Sequence, residues 1–180
     1  MCIFYSVTSP YYTEEYIQNR AIQLFILTII IPLLIFRVLK KLNLASNLML
    51  EKIKERRFPY LIAVFLNLYI TKYIFIESYD VGLHYFFAGI SFTSISFLIL
   101  SYLNYKASLH AAAISGLTMF FITLSIHFQL NLIFGIGLLI LINGLVATSR
   151  LHLKAHNSLE LIIGFLLGLI PQLMMMIYWV

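Results

Sequence analysis

The chain has 180 residues, 62% of them hydrophobic and 11% charged, with a formal net charge of +5. Soluble domains carry roughly a quarter charged residues, so this composition excludes an ordinary water-soluble fold and points to lipid. In a chain this apolar, the positive charge reads as loop charge and anion ligands, not as a nucleic-acid surface. The single cysteine, Cys2, excludes an internal disulfide.

The first twenty residues lack a basic n-region and carry Glu14 and Glu15, which argues against a cleavable signal peptide. Tyr5, Tyr11, Tyr12 and Tyr16 give that stretch the character of an interfacial segment. Six apolar runs follow, at about 21–39, 59–76, 83–103, 108–127, 130–148 and 158–179. Each approaches the length of about 20 residues that a spanning helix requires. The runs are continuous and do not alternate every second residue, which favours helices over barrel strands. The expected fold is therefore all-α, a single membrane-embedded domain built as a six-helix transmembrane bundle over 1–180. Pro59 fits the first turn of its helix. Gly164 and Gly168 are expected to serve helix packing, and Ser91, Ser94, Ser96 and Ser101 to act as polar packing groups.

The charges divide by side. Loops after the first, third and fifth runs share one face and hold Arg37, Lys40, Lys41, Lys52, Lys54, Arg56, Arg57, Lys106, Arg150 and Lys154. That is ten of the twelve basic residues. The other face has Arg20, Lys72, Glu14, Glu15, Glu77 and Asp80. The positive-inside rule puts the basic face in the cytoplasm, and a bacterial inner membrane is the expected setting.

Two histidine clusters fall on that basic face. In the first, Ser149 and Arg150 are followed after five residues by His156, and after three more by Glu160. A histidine can attack phosphorus when a carboxylate holds its other ring nitrogen. An arginine fork binds non-bridging oxygens, and the helix start near Ser158 presents N–H donors to an anion. A plainer reading also stands: Asn157-x-x-Glu160 resembles a capping box, with His156 merely interfacial. In the second cluster, Lys106-Ala107-Ser108-Leu109-His110, Ser108 is a good N-cap. His110 is an ionisable group at a helix start near membrane depth, able to protonate a leaving oxygen. Lys106 adds charge for a phosphate. The run from Glu51 to Pro59 supplies Lys52 and Arg57, either as headgroup-facing residues or as phosphate ligands. His84 and His127 fall on the opposite face as interfacial residues. His152 and His156 have zinc spacing but no evident third ligand.

Taken together, the clusters resemble the type-2 phosphatidic acid phosphatase superfamily, the lipid phosphatases related to vanadium haloperoxidases. The third motif of that family is Ser-Arg, five residues, His, three residues, Asp; here Ser149, Arg150, His156 and Glu160 keep the spacing, with Glu for Asp. Its Pro-Ser-Gly-His motif is matched by Ala107-Ser108-Leu109-His110, with Leu109 at the glycine position. Its first motif is echoed by Lys52 and Arg57-Phe58-Pro59 with altered spacing. The resemblance covers about residues 52–168. It implies His156 as a nucleophile forming a phosphohistidine, Glu160 orienting it, and His110 as general acid and later base. It further implies that Arg150, Arg57, Lys52 and Ser108, with backbone near Leu109, hold phosphate oxygens without metal or cofactor. The implied activity is hydrolysis of a phosphomonoester or pyrophosphate of a membrane lipid. The Leu109 and Glu160 departures also fit a non-catalytic relative that binds anionic lipids or partner proteins.

Overall fold

The computed structural model describes residues 4, 5, 12–41, 53–76 and 80–180. Every regular element among them is helical. Helix α1 runs Glu14–Lys41, and α2 is Arg57–Tyr69, preceded by a 3-10 turn at Ile53–Arg56 and continued by a π turn at Ile70–Ile74. Then come α3 (Val81–Tyr102), α4 (Leu109–His127), α5 (Ile133–His152) and α6 (Ser158–Met176). Five of these, α1 and α3 to α6, are long and apolar enough to cross a membrane. Helix α2 occupies the place of the second expected span. With its π turn it runs from Arg57 to Ile74 and carries Arg57, Asn67 and Lys72.

The boundaries differ from the apolar runs where capping outweighs hydropathy. Helix α1 begins seven residues before its run. Thr13 caps it by accepting the Tyr16 N–H at 3.3 Å, and Glu14 and Glu15 sit favourably in the first turn. Within α1, Pro32 removes the N–H that the Thr28 carbonyl would have received. The helix widens there into a π turn at Ile26–Ile30.

Helix α6 lies at the centre, against α3 and α4; α5 packs on α4, and α2 on α3. The closest approach is between α4 and α6. A Cβ on Gly164 would meet the Ser108 backbone, with the nitrogen at 2.9 Å. One on Gly168 would meet the Ala112 backbone, with its carbonyl carbon at 2.6 Å. Only glycine at both positions lets the two backbones sit this close.

Polar groups inside the bundle are satisfied across helices, as a medium without water demands. Pro171 in α6 deprives the Leu167 carbonyl of its helical donor. Thr93 Oγ1 on α3 donates to that oxygen at 2.9 Å. Ser115 Oγ bonds to the Phe165 carbonyl at 2.8 Å, and Gln172 Nε2 to the Phe86 carbonyl at 2.9 Å. At the end away from the basic face, the fully buried Asp80 carboxylate accepts the Tyr5 hydroxyl at 3.0 Å and the Tyr16 hydroxyl at 2.6 Å. His84 Nδ1 pairs with the Phe75 carbonyl at 2.7 Å, and His127 packs on Trp179.

Adding one methyl group should therefore separate the glycines by position. Gly168→Ala is expected to destabilise the folded protein by about 1–3 kcal/mol through overpacking. Gly144→Ala, whose added carbon meets nothing within 4 Å, should leave stability unchanged or slightly higher. Thermal unfolding in detergent measures both.

Candidate active site

The basic ends of α2, α3, α4, α5 and α6 meet at one end of the bundle, and local chain geometry there sets the site. Helix α5 closes in a Schellman motif: the Ala155 N–H donates to the Arg150 carbonyl at 3.1 Å, and the Lys154 N–H to Leu151 at 2.9 Å. Lys154 takes the left-handed conformation the motif needs, with φ of 50°. The chain thus turns back at once, and the His156 N–H also points to the Arg150 carbonyl, at 3.4 Å. The five-residue spacing between Arg150 and His156 is the length of this reversal.

Next, Asn157 caps α6 by accepting the Glu160 N–H on its side chain at 2.8 Å. That is half of a capping box. In the complete motif the Glu160 carboxylate would turn back to the cap residue's own N–H. It instead accepts from His156 Nδ1 at 2.7 Å. The two side chains are 8% and 17% exposed, so the pair is largely sheltered from water. Glu160 holds Nδ1 and leaves Nε2 as the free nitrogen. Nδ1 protonation is inferred from the carboxylate partner.

The second cluster joins the first through the backbone. The Ser108 N–H donates to the Glu160 carbonyl at 3.0 Å, while its Oγ caps α4 by accepting the Ala111 N–H at 3.3 Å. Ser108 is fully buried. Its hydroxyl oxygen serves the helix start, and its amide ties α4 to α6. Leu109, beside Ser108, is 47% exposed. His110 is accessible, and both Arg150 and His156 lie close enough for their charges to act on it. The two histidines, far apart in sequence, thus fall at the same end of the bundle.

The cations are distributed unevenly. Arg150 Nε is buried and, among the described residues, without a hydrogen-bond partner. An orphaned guanidinium N–H is the donor an anion would satisfy. Lys106 Nζ donates to the Ala155 carbonyl at 2.9 Å, bracing the loop before His156 while still acting on it by charge. Arg57 is turned elsewhere. Its Nε bonds the Ser101 carbonyl at 3.3 Å, its Nη2 bonds Asn104 Oδ1 at 3.3 Å, and its guanidinium lies 4.7 Å from the Tyr102 ring centre. It serves the C-terminus of α3. Lys52 lies outside the described residues.

Arg56, not singled out from the sequence, stands nearer to what Arg57 was expected to do. Its charge acts on His156 and on the Tyr60 side chain one turn on. Tyr60 packs against Phe97 with ring centres 5.7 Å apart, in a cluster with Ala107, Ala112 and Ile163. These residues flank Ser108 and Glu160. The signal available in sequence was the arginine–tyrosine pair at i,i+4 beside the membrane.

No family model, curated protein or solved structure matches the chain. What the cluster can do follows from its side chains: one imidazole oriented by a carboxylate, a second imidazole nearby, and three cations around them.

Burial holds the His156 pKa below the ordinary imidazole value. The Glu160 hydrogen bond opposes that shift, and the charges of Lys106 and Arg56 reinforce it. The ring should then be neutral at pH 7. In a ¹⁵N-histidine NMR titration, His156 should titrate below about 6.5. Arg56→Gln removes a repelling cation and should raise its pKa. Glu160→Gln removes the stabilising anion and should lower it.

Proposed function

We propose that this protein is a metal-independent lipid phosphate phosphatase, with α2 completing a bundle of six spans. The observation that carries the reading is the 2.7 Å contact between His156 Nδ1 and the Glu160 carboxylate, in a cluster that also contains His110 and the unpartnered Arg150 Nε. A histidine so held needs only a phosphoryl group and an acid opposite it.

The chemistry runs in two steps. His156 Nε2 attacks phosphorus, the P–O bond to the lipid breaks, and His110, entering the step as the imidazolium paired with the bound phosphate, delivers its proton to the departing oxygen. Water then attacks the phosphohistidine. His110 takes the water's proton, the N–P bond breaks and inorganic phosphate leaves. Glu160 stabilises the imidazolium character that develops on His156. Arg150 and Arg56 neutralise the equatorial oxygens, with the N–H groups opening α6 as further donors. Charge neutralisation by these side chains requires no metal ion.

The substrate is a phosphomonoester or pyrophosphate carried on a membrane lipid, because the cluster sits where apolar helices emerge from the bilayer. The Lys and Arg excess on this face orients it toward the cytoplasm, in a bacterial inner membrane.

Purified protein in detergent should release phosphate from phosphatidate, phosphatidylglycerol phosphate or a polyprenyl pyrophosphate in the presence of EDTA. Vanadate should inhibit as a five-coordinate mimic. His156→Ala should abolish turnover, and His110→Ala should reduce it by about 10²–10⁴-fold. Arg56→Gln should cost about 10²-fold, as expected for a donor aimed at transition-state charge; Arg57→Gln should cost much less. Full activity in His156→Ala would falsify the assignment.

A further inference from the structure

A lateral groove of about 420 Å³ opens between α1 and α2. Its walls include Thr28, Pro32, Phe36 and Leu39 on α1, and Ile62 and Leu66 on α2. Thr28 is its polar member, and its hydroxyl is spent on its own helix, donating to the Leu24 carbonyl at 2.7 Å. The side chains of the groove therefore offer no unsatisfied hydrogen-bonding group to an occupant, and what fills it is largely apolar.

Its depth and its mouth narrow the occupant further. The eleven steps from Thr28 to Leu39 rise ~16 Å along the helix, about half of a ~30 Å hydrocarbon core. The groove is thus one leaflet deep, measured from the basic face. Arg37 follows Leu33 by four residues and Lys40 follows Phe36 by four, so Arg37 flanks the groove stripe near its mouth and Lys40 continues it. Both are exposed, and no carboxylate among the described residues is ion-paired with either.

We infer that this groove binds one anionic glycerophospholipid of the leaflet on the basic face, with an acyl chain between α1 and α2 and its phosphate against Arg37 and Lys40. This lipid is distinct from any substrate. Tyr60, Val64 and Asn67 turn toward the bundle, Asn67 bonding Ser94 on α3 at 3.0 Å. Pro59, Ile62 and Leu66 line the groove on another side of α2. The chain acts as a wedge, filling a gap that α1 and α2 leave between them below Pro32, and so completes the packing of α1.

The test does not depend on phosphatase activity. A Trp179→Phe, Leu33→Trp variant is reconstituted in phosphatidylcholine vesicles doped with chain-brominated phosphatidylglycerol or, separately, chain-brominated phosphatidylcholine. Brominated phosphatidylglycerol should quench the new tryptophan at roughly tenfold lower mole fraction, given the attraction of two cations for an anionic headgroup. Arg37→Gln with Lys40→Gln should erase that preference. Equal quenching by the two lipids overturns the proposal. So does an unquenched tryptophan whose emission follows protein density in the membrane, which would put a second copy in the groove. Native mass spectrometry of the otherwise unaltered chain gives a second reading: a retained phosphatidylglycerol adduct is expected, lost in the Arg37→Gln, Lys40→Gln form. No headgroup preference there would also overturn it.

Discussion

Where α4 and α6 cross, two backbones touch with only the Ser115 hydroxyl between them. Gly164 faces Ser108, and Gly168 faces Ala112 and Ser115. In lipid there is little hydrophobic drive to bring helices together, so close packing and interhelical hydrogen bonds must do it. Here both act on the same pair. The contact also ties the two histidine-bearing segments together, because Ser108 precedes His110 by two residues and its amide bonds the carbonyl of Glu160. The helix starts that carry the two imidazoles are held in register by backbone atoms. A mutation that parts these helices would disturb packing and the histidine cluster together.

Around that axis the bundle is completed by specific repairs. Pro171 would leave the Leu167 carbonyl bare, and Thr93 from the neighbouring helix answers it. Asp80, which from sequence was only an acid on the less basic face, is buried under the hydroxyls of Tyr5 and Tyr16 and ties the N-terminal segment to the start of α3. The two ends of the molecule are built on opposite principles. One end buries a carboxyl group beneath two tyrosine hydroxyls, and the other gathers cations near two histidines.

Much of this was legible in the sequence because it is local. Apolar runs mark helices whatever their neighbours, and the Arg150–His156–Glu160 spacing is set by one turn reversal and one helix cap. What escaped was directional. Arg56 and Arg57 are adjacent, yet a step of one residue swings a side chain about 100° around a helix. Which of them faces His156 is decided by where Tyr60 packs and by where α3 ends, and neither is a property of the pair. Lys106 was legible as a cation near phosphate but not as a brace for the Ala155 carbonyl, because that bond joins two loops 49 residues apart. The start of α1 was missed for the opposite reason: its first turn is polar and well capped, so hydropathy alone does not see it.

Helices α3, α4 and α5 all end with a non-glycine residue at positive φ: Asn104, Gln129 and Lys154. Each closes its helix with the same paired amide bonds and leaves almost no slack before the next segment. For the reversal after α5 this makes chain length a determinant of where the His156 imidazole sits. One residue inserted or deleted between Arg150 and Asn157 would break the amide pattern that aims the imidazole, even with every functional side chain retained. Divergence among proteins built on this plan should therefore be permissive in the composition of that hairpin bend and intolerant of indels within it.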